Sequence, residues 1–344
     1  MQAGCVTALI TPFTGDAVDY EGLDRLVRFQ IANGINGILA VGTTGESPTL
    51  SWDEHITVIG TIAEKTKNKC ACIAGTGSNN TEETLSATDH AVKAGVNAVL
   101  LVDPYYNGPS SIEIRREYVE PVAARFPDTQ IIPYVIPGRT GAQLMAQDLA
   151  IAAKNYPNVK SVKEATGSLD NMRLTRKCCG PDFIILSGDD GITFDMMTDP
   201  DIKGAGVISV MSNIAPKAVT EMVTLLNQGR TADAEKLKNA MNPFFNMVSV
   251  KTNEQTAYGD VVCKARNPLP VKTLMQILGM PAGPCRRPLG KLTQAGIEEV
   301  LAAARTVQAE SPEILQPAAE FFNIDIDERL NTDKYWKDLY YGEY

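Results

Sequence analysis

GILAVGTTGESPTLSWDEHITVIGTIAEKTKNKCACIA, residues 37–74, reads as a strand, a glycine-rich turn, a helix and a second strand. Gly37–Val41 and Cys70–Ala74 are short apolar runs, and Trp52–Lys67 between them has helical patterning. A strand, a helical crossover and another strand form the unit from which parallel sheets are built. The same unit repeats in both directions along the chain. Candidate strands are Cys5–Ile10, Gly37–Val41, Cys70–Ala74, Ala98–Val102, Gln130–Val135, Val159–Lys163, Phe183–Leu186 and Gly206–Val210. Helix-like stretches separate them, among them Tyr20–Asn33, Thr81–Lys93, Ser111–Arg125 and Gln143–Lys154. Eight repeats within one domain's length fit a closed (β/α)8 barrel better than an open doubly wound sheet. A G-x-G-x-x-G turn after the first strand, the mark of a dinucleotide-binding sheet, is missing. Thr76-Gly77-Ser78 after the third strand reads as a tight turn into the next helix.

Beyond residue 226 the strand signal stops. Asn227–Asn242, Val271–Leu278 and Lys291–Thr306 read as helices, with Asn267-Pro268-Leu269-Pro270 a stiff turn before the second. The expectation is an α/β TIM barrel over residues 1–226 and a small C-terminal helical region over 227–306. An acidic, aromatic extension follows over 307–344. From Glu310 onward it has nine acidic residues against three basic, with Phe321, Phe322, Tyr335, Trp336, Tyr340, Tyr341 and Tyr344. Disordered tails are usually poor in aromatics, so this one is expected to dock.

A net charge of −9 without a basic cluster argues against nucleic-acid or anionic-membrane partners. No apolar run approaches the roughly 20 residues that cross a bilayer. Met1-Gln2-Ala3-Gly4-Cys5 lacks the basic-then-apolar start of a secretory leader. Seven cysteines without paired spacing suggest free thiols in a reducing, cytoplasmic compartment.

Reactive groups of a barrel gather where strands end and loops begin. Reading those ends gives Gly42-Thr43-Thr44-Gly45-Glu46, Asp103-Pro104-Tyr105-Tyr106-Asn107, Tyr134 through Gly141, Lys163-Glu164-Ala165 and Gly188-Asp189-Asp190. Lys163 is the sharpest of these. Strand alternation puts Val159, Ser161 and Lys163 on one face, read as the barrel interior. A lysine near an apolar interior loses its proton more easily and becomes an amine nucleophile that can form an imine with a ketone. A solvated surface charge is the commoner fate of a lone strand-end lysine, and its company decides the matter. Thr43, Thr44 and Gly45 offer hydroxyls and N–H groups suited to a carboxylate, or a plain helix cap. Tyr134 and Tyr106 can pass protons, although most buried tyrosines only fill space. Arg139 can clamp a carboxylate or make a surface ion pair. His55 and His90 lie far apart, so a metal–His or Ser–His site has little support, and Asp189-Asp190 reads as a turn or cap.

These residues, in order, resemble the dihydrodipicolinate synthase family, relatives of N-acetylneuraminate lyase. Gly42-Thr43-Thr44-Gly45-Glu46, Tyr105-Tyr106-Asn107, Tyr134-x-x-Pro137-x-Arg139-Thr140-Gly141, Lys163-Glu164-Ala165, Gly188-Asp189-Asp190 and Gly206-Val207-Ile208-Ser209-Val210 carry the likeness. It runs from about residue 4 through Asn267-Pro-Leu-Pro-Val-Lys272, and the tail has no counterpart. The resemblance implies a pyruvate imine on Lys163 and no other cofactor or metal. It implies a relay of Thr43, Tyr134 and Tyr106, the last lent by a neighbouring subunit. Thr44 and Gly45 would hold the pyruvate carboxylate, Gly188 and Ile208 would contact substrate, and Arg139 would take aspartate semialdehyde. It further implies a homotetramer, a dimer of dimers, and a feedback pocket for L-lysine at Ser47, His55, Asn79, Glu83 and Tyr105, with Trp52 beside them. Val135 stands where the family often has asparagine. Two other readings share this sequence: another pyruvate lyase on the same scaffold, cleaving a sugar acid or hydroxy-oxoglutarate, and a non-catalytic ligand-binding relative.

Overall fold

The computed structural model describes residues 4–344; Met1–Ala3, part of the start read as lacking a leader, lie outside the described residues. Eight parallel strands close into a barrel: β1 (Gly4–Ala8), β2 (Gly37–Ala40), β3 (Ala71–Gly75), β4 (Ala98–Val102), β5 (Gln130–Val135), β6 (Ser161–Glu164), β7 (Ile184–Ser187) and β8 (Gly206–Ser209). Each pairs with its sequence neighbours, and β8 returns to β1 with Gly4 opposite Gly206. The expected fold is the observed one.

Alternation along the strands separates two cores. Val6, Ala8, Leu39, Ile73, Ala98, Leu100, Ile132, Tyr134, Leu186 and Ile208 pack inside the barrel. Residues of opposite parity, such as Val99, Ile131, Val162 and Val207, pack outward against the helices. Val135 belongs to that outer set, which accounts for an apolar residue there. Ser161 points inward, its hydroxyl accepting from Gln130 Nε2 at 2.7 Å. Val159 does not share that face. β6 begins only at Ser161, so the alternation does not extend back to Val159, which packs with Val162 in the outer core.

Local chemistry sets the other boundaries. Ser51 caps the helix Trp52–Thr66 reciprocally with Glu54. Gly77 is required by space, since a Cβ there would lie 2.7 Å from the Tyr118 hydroxyl and from Val102 N. β2 stops at Ala40 because Val41 takes a φ of 47°, a conformation costly for a β-branched residue. Glu46, five residues on, has a φ of 57°. Strain on both sides of Gly42-Thr43-Thr44-Gly45 is of the kind found at ligand loops.

The C-terminal region is not purely helical. Between the helices Thr231–Met247 and Leu269–Leu278 stands an antiparallel hairpin, β9 (Ser249–Thr256) and β10 (Gly259–Arg266). Its strands alternate in burial, but the inward set includes Thr252, Glu254 and Cys263, too polar to read as a strand's apolar face. The tail docks as expected. Helix Gln316–Phe322 places Phe321 and Phe322 at 5.3 and 5.0 Å from the Phe29 ring, and Arg25 covers Phe322. Helix Ile326–Asn331 buries Leu330, whose carbonyl accepts from Arg305. The chain then reaches Leu292, where Tyr340 bridges and Tyr341 N donates to Leu292 O.

Candidate active site

Lys163 is the penultimate residue of β6, paired with Tyr134 of β5 on one side and Leu186 of β7 on the other. Its side chain is 4% exposed, and its amine lies 4.1 Å from the centroid of the Tyr134 ring. It makes no hydrogen bond or ion pair among the described residues. Burial pushes its ammonium down to about 7, opposed by the charge of Asp190 and assisted by that of Arg139. Gly188, directly after β7, leaves room for it: a Cβ there would sit 3.1 Å from Lys163 Cε. Ile208, fully buried on β8, closes the floor with Leu186.

Lys272 is the informative contrast. It too is fully buried, but its amine donates to Glu46 Oε1 at 2.7 Å and to the carbonyls of Thr11 and Pro284 at 3.0 Å each. A buried lysine with three acceptors is a structural cation. A buried lysine with none favours its neutral form.

Burial raises the Tyr134 phenol to about 12, and the Thr43 hydroxyl beside it acts in the opposite direction. Thr44 is buried and its hydroxyl accepts from Asn267 Nδ2 at 2.9 Å. Gly45 lies so close to Leu9 O and Val41 that a Cβ would approach them to 3.0–3.1 Å. Arg139 is exposed at the mouth, where Nη2 donates to Asn267 O at 3.0 Å. A cavity of about 380 Å³ is lined by Thr43, Leu100, Tyr134, Arg139 and Thr140, whereas Lys163, Thr44, Gly45, Gly188 and Ile208 lie behind its lining rather than in it. Ser47, Trp52, His55, Glu83 and Tyr105 line the same cavity farther out. Asn79 joins them through Tyr105 N, which donates to its Oδ1 at 2.7 Å. His55 stacks edge-on against Trp52 at 5.4 Å, and burial pushes its imidazole down to about 4. Thr43, Tyr134 and Arg139 thus share one cavity with Ser47, His55, Glu83 and Tyr105. Tyr106 is 86% exposed and stands apart from it.

Sequence reasoning passed over three residues. Asp189 caps as expected, its Oδ1 accepting from Gly191 N. Asp190 does more: it is buried, Oδ2 accepts from Val210 N and Met211 N, and Oδ1 has no partner. Burial raises its carboxyl to about 6, and its charge acts on Lys163. Asn267 ties Thr44 to Arg139 from the C-terminal region, and Lys272 holds Glu46. Asn267 and Lys272 end a motif that carried the resemblance, but nothing local said which barrel loop they would reach.

A closed barrel with a buried amine, a phenol–threonine pair and an arginine at the carboxyl ends of its strands defines a (β/α)8-barrel of the lyase type. The model of the dihydrodipicolinate synthetase family matches residues 1–307, and the chain belongs to that family. It is 37% identical over 298 residues to the 4-hydroxy-tetrahydrodipicolinate synthase of Thermosynechococcus vestitus, covering 86% of this chain and 94% of that protein. The synthase of Methanococcus aeolicus is 36% identical over 291 residues, 85% and 94% of the two chains. Among solved structures, the synthase of Methylacidiphilum fumariolicum SolV superposes with a TM-score of 0.83 at 33% identity, over 92% of this chain and 99% of that one. A lysine-bound dihydrodipicolinate synthase from Cyanidioschyzon merolae gives 0.80 at 32% identity, over 89% and 98%. The docked tail lies almost entirely outside the family match.

Proposed function

We propose that the chain condenses pyruvate with L-aspartate 4-semialdehyde to 4-hydroxy-tetrahydrodipicolinate, with Lys163 as the nucleophile. The observation that carries this reading is the buried Lys163 amine, unpaired and lowered to about 7, against the Tyr134 ring. The neutral amine attacks the keto carbon of pyruvate, and the adduct loses water to an imine. Loss of a methyl proton gives an enamine, which attacks the aldehyde carbon. The amine of the second substrate then displaces the Lys163 nitrogen and closes the ring. No further cofactor is needed, because the imine is itself the electron sink.

In this reading Thr43 and Tyr134 relay protons, and Tyr106 completes the relay from a neighbouring subunit, in keeping with its exposure. Thr44 and Gly45 hold the pyruvate carboxylate, Gly188 and Ile208 shape its place, and Arg139 receives the carboxylate of the aldehyde. Residues 1–226 form the catalytic barrel. Residues 227–306 support it through Asn267 and Lys272, with 307–344 an appended brace. Ser47, His55, Asn79, Glu83 and Tyr105 form an L-lysine effector site, supported by their shared cavity with Thr43 and Tyr134. The assembly is a homotetramer, a dimer of dimers. Seven free cysteines support a reducing, cytoplasmic setting. No helix among the described residues is long and apolar enough to cross a membrane.

The test is a substrate comparison. With pyruvate saturating, turnover is expected with aspartate semialdehyde and not with sugar aldehydes, and millimolar L-lysine is expected to slow it. Turnover of a sugar aldehyde alone would replace this reading.

A further inference from the structure

A second cavity, of about 910 Å³, lies directly above the mouth. Thr43 and Arg139 form its floor, the inward face of the β9–β10 hairpin one wall, and Tyr341–Tyr344 another. In a chain of net charge −9 four cationic residues border this chamber, Arg139, Lys264, Arg266 and Lys291, with Lys264 and Arg266 on the exposed parity of β10. None of the four makes an ion pair among the described residues. Three acidic side chains line it as well: Glu46 is paired with Lys272, Glu254 lies beside Thr252 and Thr293, and Glu343 comes from the chain's last residues.

Two of these cations are fixed by reciprocal bonds. Arg266, the last residue of β10, donates through Nη1 to Gly138 O at 3.0 Å. Arg139, the residue after Gly138, donates through Nη2 to Asn267 O, the residue after Arg266, at 3.0 Å. The crossed pair holds the hairpin's base against the turn after β5 and brings the two guanidiniums within reach of each other's charge. Although Arg139 keeps exposed surface at the mouth, desolvation of its guanidinium by the surrounding loops, and then the charge of Arg266, pull it below the usual arginine value. Each guanidinium carries five N–H donors and spends one on the protein, so both forks keep unspent donors. Two like charges held together with free donors make a receptor for an anion.

We propose that Arg266 is a second carboxylate-binding residue, forming with Arg139 a two-guanidinium clamp for the aldehyde substrate, while Lys264 and Lys291 draw that anion into the chamber. This rests on the reading of the preceding subsection and adds to it a group from the hairpin. Both substrates carry a carboxylate. Pyruvate's place is deeper, at Thr44, Gly45 and Lys163, so the clamp at the mouth serves the second substrate.

The test combines kinetics with binding of an unreactive probe. Arg266→Gln removes the charge and keeps a donor for Gly138 O. It is expected to raise the KM for aspartate semialdehyde about tenfold, leaving kcat and the pyruvate KM within about twofold. Arg266→Lys is expected to recover part of the loss, because it restores charge without the fork. Titration calorimetry with succinate on the pyruvate-loaded protein is expected to show the same loss in Arg266→Gln. Binding by the wild-type protein should weaken as salt rises. An aldehyde KM and a succinate affinity both unchanged in Arg266→Gln would overturn the clamp. If the wild-type protein fails to trap pyruvate on Lys163 but still binds succinate through Arg266, the proposed function falls and the anion site stands.

Discussion

The most telling perturbation is pH, because the Lys163 amine should titrate far from where lysines usually do. With a value of about 7, the amine is neutral in roughly a tenth of molecules at pH 6, half at pH 7 and nine-tenths at pH 8. A lysine at its ordinary 10.5 would be neutral in only about three molecules in ten thousand at pH 7. If imine formation follows the neutral amine, its rate should rise about tenfold from pH 6 to pH 8 and then level. The assay is the initial rate of pyruvate-dependent labelling with cyanoborohydride, followed by mass spectrometry across pH 5.5–10. Asp190→Asn sharpens it. The Asp190 carboxylate favours the ammonium form, and asparagine can still accept from Val210 N and Met211 N. The variant's midpoint should therefore fall below that of the wild-type protein. A rate still climbing tenfold per pH unit at pH 9, or a midpoint raised by Asp190→Asn, would refute the reasoning.

Tyr134→Phe should leave labelling of Lys163 intact while lowering kcat about a hundredfold, because the phenol moves protons rather than placing the amine. Lys163→Met should stabilise the fold more at pH 6 than at pH 10. The native amine's value lies below its unfolded one, so the unfolded chain holds more protons between about 7 and 10.5, and wild-type stability rises with pH there. Glu46→Gln strands the Lys272 charge in a fully buried site and should cost about 3–5 kcal/mol in urea unfolding. Phe322→Ala should cost about 3 kcal/mol by the same measurement and uncover Phe29, since the ring is packed where the tail docks.

The barrel was legible because its signal is periodic. Each strand is a short apolar run, each is followed by a turn and a helical pattern, and the eighth closes on the first. Lys163 was legible from its place at the end of an inward-facing strand together with the threonines, tyrosines and arginine that other strand ends bring to the same face. The missing parts depend on long-range packing. The hairpin hid because Thr252 and Glu254 interrupt its inward face, and only its base, at Val250 and Ala265, reaches the core while the rest faces a chamber. Asp190 resembled its neighbour Asp189 in sequence, and only burial separates the cap from the buried charge. Val159 was assigned to the barrel interior because alternation was extended past the true start of β6. The tail's aromatic content announced docking, whereas its partner, Phe29, lies nearly 300 residues earlier in the chain.

The most direct test of the account asks which nitrogen reacts. Incubating the protein with pyruvate and borohydride, digesting it and sequencing the modified peptide by mass spectrometry should find one reduced pyruvate adduct, on Lys163, with Lys272 unmodified. An adduct on another lysine, or none at saturating pyruvate, would contradict it.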